Sequence, residues 1–266
     1  MSLTVAVLTF NKWRELLPDC LESIIPQLRQ GDELLVVDNG ATPPVTKSSQ
    51  YRLVRLEKNV GNVEGQNKCF ELALNDWVLF VSDDVRIRNV CIKELWNRKY
   101  HLCQTMPIIY EKDGLVQCSG TRLVWPGYGI NRKDFPCFER NTDYAPSICY
   151  LMNKKFLDGI GGFDSQLPMA YEDVDIGIRF RKAGLRPILI PPAGAVQNRD
   201  DDQRRTFDPR HRLGEASSRD EGLTLTRGRR ESLRLRGEHD GARTTAQHQV
   251  RGQRRQIDPG TRHAGR

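Results

Sequence analysis

The sequence lacks the motifs of several common enzyme classes. No GxGxxG loop follows the first predicted strand, and no GxxxxGKS or GxxxxGKT loop occurs, so a dinucleotide-dependent dehydrogenase and a P-loop nucleotidase are both disfavoured. Residues 1–198 contain a single histidine, His101, which is too few for a histidine-based metal site. No run of about 18 apolar residues occurs either, and we therefore expect no helix that spans a membrane.

Closely paired cysteines are also missing. The seven cysteines are scattered along the chain, and none belongs to a Cys-X-X-Cys motif. Isolated cysteines in apolar surroundings are typical of reduced, buried thiols. The first predicted strand begins at Leu3, which leaves no room for a signal segment before it. These features predict a cytoplasmic protein, and they leave a peripheral contact with a membrane open.

Positive charge is concentrated at one end of the chain. Residues 1–198 hold 24 Lys and Arg against 23 Asp and Glu, whereas residues 199–266 hold 17 Arg, 11 acidic residues and no Lys. The second segment has no Trp, Tyr, Met or Cys and little other apolar content, so we expect it to be disordered. It is either a basic arm for nucleic acid or acidic lipid, or the product of a reading-frame error that replaced the native C-terminus. We predict a folded domain over 1–198 and an arginine-rich tail over 199–266.

The first 198 residues alternate between short apolar runs and amphipathic stretches. Runs rich in β-branched residues at 3–10, 33–37 and 78–81 are typical of strands buried on both faces of a parallel sheet. The stretches 13–28 and 61–74 have the periodicity of helices. Further strands are predicted at 51–56, 147–152 and 185–191, and a further helix at 171–183. The alternation predicts an α/β fold with a mainly parallel sheet flanked by helices.

Polar residues stand where three of the predicted strands end. Asn11 follows the first strand, Asp38 the second, and Asp83 and Asp84 the strand at 78–81. In open α/β sheets, ligands bind at the carboxyl ends of the strands. Carboxylate and phosphate oxygens are the ligands that Mg²⁺ prefers, so a diphosphate could complete a metal site here. Taken alone, an Asp pair at such a position is more often a turn or capping residue.

A second acidic pair, Glu172 and Asp173, opens the helix predicted near the end of the domain. The helix dipole favours acidic residues at this position, which would explain the pair without a function. The preceding segment 161–164 has the sequence Gly-Gly-Phe-Asp, and such a loop also suits a pocket where a general base approaches a hydroxyl group. We expect Arg179 and Arg181 to be solvated helix residues rather than phosphate ligands.

In this order along the chain, the motifs resemble those of the family 2 glycosyltransferases. The likeness lies in the segments 5–11, 35–40, 59–61 with Asn67, 78–85, 161–164 and 171–177. It covers roughly residues 3–195. The resemblance implies the Rossmann-like GT-A fold and a nucleotide-diphosphate-sugar donor. It also implies transfer of the sugar to an acceptor hydroxyl with inversion at the anomeric carbon.

The resemblance further implies roles for individual residues. The donor would be bound by five of them, namely Thr9, Asn11, Asp38, Asn67 and Asp83. Asp84 would bind Mn²⁺ or Mg²⁺, and Asp173 of the pair with Glu172 would be the catalytic base.

The sequence departs from the family pattern at three points. Ser82 stands where the family has the first carboxylate of its metal-binding triplet, and Gln197 with Asn198 stands where a histidine is often found. There is no QxxRW segment, so we expect single additions to a glycan, lipid-linked or protein acceptor rather than polysaccharide synthesis. The alternatives are a catalytically inactive nucleotide-sugar-binding domain, and a nucleic-acid-binding protein that uses the tail.

Overall fold

The strands and helices of the first 82 residues follow the predicted alternation. The structure, a computed structural model, describes residues 1–99, 104–124, 128–167 and 171–198. The predicted tail at 199–266 and His101 lie outside these ranges. The described strands are β1 (Leu3–Thr9), β2 (Glu33–Asp38), β3 (Arg52–Arg55), β4 (Trp77–Ser82), β5 (Val85–Ile87), β6 (Gln104–Tyr110), β7 (Val116–Cys118), β8 (Thr121–Val124), β9 (Tyr128–Asn131), β10 (Arg140–Asn141), β11 (Cys149–Asn153) and β12 (Ile188–Gln197). The described helices are α1 (Trp13–Ile24), α2 (Asn62–Leu72), α3 (Cys91–Asn97), α4 (Lys154–Gly159) and α5 (Glu172–Lys182).

Ten of the strands form one sheet, in the order β10-β12-β6-β11-β4-β1-β2-β3, with β5 paired to β12 and β7 to β6. The neighbours β3, β2, β1 and β4 are all parallel, as the sequence predicts. Beyond β4 the sheet becomes mixed, because β11 is antiparallel to both β4 and β6. The prediction of an α/β fold with a sheet flanked by helices is confirmed. The first 82 residues form an all-parallel half, and β6 and β12 form a further parallel pair in the other half.

The central strands are covered on both faces. Successive residues Val5, Ala6 and Val7 of β1 are fully buried, although neighbours along a strand point to opposite faces. Helix α2 lies close to β1 at Gly65, where an added Cβ would come within 2.7 Å of Leu8. Because both faces are packed, the ends of the central strands are held in place at the edge of the sheet.

Two elements differ in length from the prediction. Helix α1 ends at Ile24 and continues as a 3-10 turn, Ile25–Gln27, because Pro26 has no N–H group to continue the α-helical pattern. The last strand runs six residues further than predicted, to Gln197, after a register shift between Ile190 and Gly194. Two prolines at 191 and 192 interrupt the apolar pattern there, which hid the second half of the strand.

Candidate active site

The carboxyl ends of strands β1 and β4 lie next to each other at one edge of the sheet. The Thr9 hydroxyl donates a hydrogen bond of 2.6 Å to Oδ2 of Asp83. The register of β1 against β2 places Thr9 opposite Asp38, and the backbone N–H of Asn39 donates to the Thr9 carbonyl at 2.9 Å. Three residues that the sequence predicts to bind the donor therefore lie side by side.

Asp38 is fully buried, and its carboxylate is held from several sides. It accepts backbone N–H groups from Ala41 at 2.7 Å and Val45 at 3.1 Å, and it pairs with the Arg55 guanidinium at 2.5 Å. These bonds fix the loop that follows β2. All of these bonds join Asp38 to other groups of the protein, and its contact with a nucleoside stays a prediction.

Asn11 and Asn67 hold other parts of the same region. The Asn11 side-chain oxygen accepts the backbone N–H of Thr42 at 3.0 Å and so links the ends of β1 and β2. The Asn67 side chain accepts the N–H of Phe163 at 3.0 Å and donates to its carbonyl at 2.9 Å. Asn67 thus ties α2 to the glycine-rich loop, and its predicted contact with the donor is not tested by these bonds.

The two carboxylates after β4 have different surroundings. Burial raises the pKa of Asp83 to about 6, although the Thr9 hydroxyl lowers it, and the neighbouring Asp84 raises it further. Asp84 accepts a hydrogen bond from the side-chain amide of Gln197 at 2.8 Å on Oδ2. Its Oδ1 is buried and has no hydrogen-bond partner in the described part of the chain. Asp84 therefore has one carboxylate oxygen held in place and one free to bind a ligand.

A buried glutamine pair supports Asp84. The side-chain oxygen of Gln197 accepts a hydrogen bond of 2.8 Å from the amide of Gln117, and both residues are buried. The sequence analysis singled out Gln197 because it stands where the family often has a histidine. It carried no signal for Gln117, which is 80 residues away in the chain.

Glu172 is a buried link between α5 and α2. It is 1% exposed, and its Oε1 accepts hydrogen bonds of 3.3 Å from the side-chain amides of Asn62 and Gln66. The Gln66 oxygen in turn accepts the Tyr150 hydroxyl at 2.8 Å. This network orients the first turn of α5, and with it the adjacent carboxylate of Asp173.

Asp173 is partly exposed and accepts the backbone N–H of Val174 at 2.8 Å. Burial, followed by the charge of Glu172, raises the pKa of Asp173 to about 7, while backbone N–H groups of Val174 and Ser147 lower it. A carboxylate with a pKa near neutrality is suited to take a proton from a hydroxyl group.

The segment before β11 brings the two acidic groups to the same edge. The backbone N–H of Ser147 lies near Asp173 and lowers the pKa of its carboxyl, and the carbonyl of the next residue, Ile148, accepts the N–H of Ser82 at 2.9 Å. The carboxylates that follow β4 and the carboxylate that opens α5 are thus connected through two adjacent residues of one segment. The structure brings together groups that lie about 90 residues apart in the sequence.

The acidic groups do not form a metal cage by themselves. Within the described ranges, no three His, Cys, Asp or Glu side chains are arranged to hold a metal ion. Mg²⁺ and related ions often bind one or two carboxylates together with the phosphates of a substrate. The free Oδ1 of Asp84 fits such a site, provided that a diphosphate supplies the remaining oxygens.

Arg179 differs from the expectation of a solvated side chain. Its guanidinium donates to the carbonyls of Ile160 and Gly162 at 2.6 Å each and pairs with Asp175. Gly162 has a φ of 76°, a conformation that favours glycine. Arg179 therefore holds the glycine-rich loop against α5, whereas Arg181 is more than half exposed, as expected.

Comparison of the sequence with known proteins points to one family of transferases. The sequence profile of Glycosyl transferase family 2 matches residues 4–158. The N-acetylglucosaminyl-diphospho-decaprenol L-rhamnosyltransferase of Mycobacterium tuberculosis is 26% identical over 62% of this chain. The match spans 66% of that relative, slightly under two thirds of its length. No described helix is long and apolar enough to cross a membrane.

Solved structures share the fold. GalNAc-T7 with UDP, GalNAc and Mn²⁺ superposes with a TM-score of 0.61 at 12% identity, over 74% of this chain and 44% of that one. TarS of S. aureus in complex with UDP-GlcNAc superposes with a TM-score of 0.56 at 18% identity, over 76% of this chain and 60% of that one. At these identities the likeness concerns the fold alone.

Proposed function

The chain belongs to glycosyl transferase family 2, and from that premise we propose that it transfers a sugar from a nucleotide-diphosphate-sugar donor to an acceptor hydroxyl. The observation that carries the proposal is the shared position of Asp84 and Asp173 at one sheet edge, connected through the segment 147–148. One carboxylate has a free oxygen for a cation, and the other has a pKa of about 7. These are the two groups that a single inverting displacement needs.

At the anomeric carbon, the proposed reaction forms one C–O bond and breaks another. The acceptor oxygen attacks the anomeric carbon, Asp173 takes its proton, and the nucleotide diphosphate leaves with the bonding electrons. A bound Mn²⁺ or Mg²⁺ would offset the negative charge that develops on the leaving diphosphate. Asp84 would hold this ion, and the hydrogen bond from Gln197 supports the role because it leaves Oδ1 free.

Donor binding is proposed for the residues at the ends of β1, β2 and β4. Thr9 and Asp83 are locked together, and Asp38 fixes the loop after β2, so this part of the edge is preformed. Asn11 and Asn67 border it and connect it to neighbouring loops. Preformed polar groups at the carboxyl ends of strands are the usual place for a nucleotide in an open α/β sheet.

A lipid-linked acceptor is the proposal that the relatives favour. The name of the mycobacterial relative describes transfer to a decaprenol-linked sugar, and decaprenol is a lipid.

The six described cysteines are free thiols, five of them buried, which supports a cytoplasmic location. Neither an inactive domain nor a nucleic-acid-binding protein is favoured by comparisons whose named members are a transferase and nucleotide-sugar complexes.

Binding of nucleotide sugars tests the proposal directly. We expect a UDP- or dTDP-sugar panel to contain at least one compound that raises the melting temperature with Mn²⁺ and does so less with EDTA. Asp84→Asn should weaken this metal-dependent binding at least tenfold by calorimetry. Asp76→Asn is the matched control, because Asp76 is an exposed acid at the opposite end of β4. Equal binding by the wild type and Asp84→Asn would contradict the metal role.

A further inference from the structure

Large apolar side chains are exposed in one short part of the chain. Tyr128, Ile130, Phe135 and Phe138 are between 49% and 82% exposed, and they occur within eleven positions. Elsewhere in the described ranges, exposed apolar residues of this size are scattered singly. A concentration of exposed apolar surface usually marks a site of interaction.

The hairpin formed by β8 and β9 has two different faces. Residues directly opposite each other in an antiparallel pair point to the same face, and the register places Arg122 opposite Ile130 and Val124 opposite Tyr128. The other face is turned toward Tyr144, whose hydroxyl lies 2.1 Å from where a Cβ on Gly129 would stand. The outer face therefore presents an arginine, a valine, a tyrosine and an isoleucine, of which only Val124 is half-buried.

The hairpin is hydrogen-bonded to a segment that packs against helix α5. The N–H of Leu123 donates to the Asp143 carboxylate at 2.8 Å, and the Thr121 hydroxyl donates to the Tyr144 carbonyl at 2.6 Å. Residues 143 and 144 in turn pack against Gly177 of α5, where an added Cβ would come within 2.4 Å of the Asp143 carbonyl. The hairpin is therefore attached close to α5, whose second residue is the proposed base.

The region has an excess of positive charge. Arg98 and Arg140 are each paired with an acid, Glu139 and Asp134 respectively. Three other cations, Arg122, Arg132 and Lys133, form no ion pair with any residue that the structure describes. Exposed aromatic residues interspersed with unpaired cations match the interface of a bilayer that contains anionic lipid.

We propose that the aromatic segment, which comprises the β8–β9 hairpin (residues 121–124 and 128–131) and the following residues 132–138, binds the surface of a membrane that contains anionic lipid. This inference rests on the proposed function, because it would deliver a lipid-linked acceptor to the edge where Asp173 lies. The aromatic rings enter the interfacial layer, and the three cations contact lipid phosphates. About 1 kcal/mol for each cation near an anionic surface corresponds to roughly fivefold in vesicle affinity.

Flotation of the full chain with vesicles tests the proposal. The wild type should bind vesicles of phosphatidylglycerol and phosphatidylcholine, and Phe135→Ser/Phe138→Ser should bind them at least tenfold more weakly. Leu74→Ser/Leu115→Ser is the matched control, since both leucines are as exposed as the phenylalanines but lie elsewhere. It should bind within twofold of the wild type. Every variant keeps residues 199–266, so the contribution of their arginines is the same throughout.

The charge component is tested separately. Arg122→Gln/Lys133→Gln should lose most of the preference for vesicles with phosphatidylglycerol over pure phosphatidylcholine. If the phenylalanine variant binds vesicles like the wild type, or if it only abolishes self-association measured by light scattering, the proposal is wrong. Metal-dependent nucleotide-sugar binding should be unchanged in all variants. Its absence from the wild type would refute the proposed function and leave the vesicle result standing.

Discussion

Replacement of Asp173 by asparagine should make the protein inactive and more stable at neutral pH. Burial and the nearby Glu172 raise the pKa of Asp173 from its ordinary value of 3.8 to about 7. The folded protein therefore binds the proton more tightly than the unfolded chain does. A difference of about three pH units corresponds to roughly 4 kcal/mol of unfavourable free energy for the charged form, as an upper value.

The sign of this effect sets its pH dependence. Between pH 4 and pH 7 Asp173 holds more of its proton in the folded state than in the unfolded state, so its contribution to wild-type stability falls as the pH rises through this window. Above about pH 7 the penalty is fully present, and below pH 4 it is absent. Asparagine keeps an oxygen that can accept from the N–H of Val174, but it carries no charge at any pH. We therefore expect the variant to be more stable by about 2–4 kcal/mol at pH 8 and equal to the wild type near pH 4.

Urea unfolding at pH 8 and pH 4 measures this difference. Asp175→Asn, one turn into the same helix, is the control; it loses the ion pair with Arg179 and should be slightly destabilised at pH 8. Transfer by Asp173→Asn should fall ~100-fold or more, and wild-type activity should rise with pH through about 7, as the base loses its proton. A variant that is less stable than the wild type at pH 8, or equally active, would refute the reasoning.

Two further predictions concern the framework around the site. Gly177→Ala should destabilise the domain by about 1–3 kcal/mol in thermal unfolding, because the new methyl group would press on the backbone of Asp143. Gly159→Ala is the control and should be neutral or slightly stabilising, since no atom lies within 4 Å of its new methyl group. A similar loss of stability in both variants would contradict the packing argument. Asp38→Ala should cost about 3 kcal/mol in urea unfolding, since two buried backbone N–H groups lose their acceptor, and a loss below about 0.5 kcal/mol would count against this support of the loop.

Helix α5 illustrates how the proposed activity and stability would be opposed at this site. Glu172 is almost fully buried beside a second carboxylate, and amide groups of Asn62 and Gln66 compensate it. The same burial that would suit Asp173 to act as a base near neutral pH opposes its ionisation in the folded state above that pH. Groups that serve chemistry are often held in such unfavourable environments by the structure around them.

Local sequence patterns were sufficient for the first half of the sheet. Strands β1, β2 and β4 consist mostly of apolar runs, and the helices between them have clear periodicity. The existence of these strands and their parallel direction could therefore be predicted. Apart from β6, which is seven residues long and mostly buried, the strands from β5 to β10 are two to four residues long and carry no such pattern. The antiparallel insertion of β11 depends on pairing with β4 and β6, which no local pattern records.

The sequence by itself determined that carboxylates stand at the ends of buried strands and at the start of a helix, because apolar periodicity and chain position are local properties. Only the tertiary structure decided what each of them contacts. The bond from Gln197 to Asp84 joins residues 113 positions apart, and the bond from Gln66 to Glu172 joins residues 106 apart. The raised pKa of Asp173 likewise comes from burial by distant segments, and burial is a property of the folded chain.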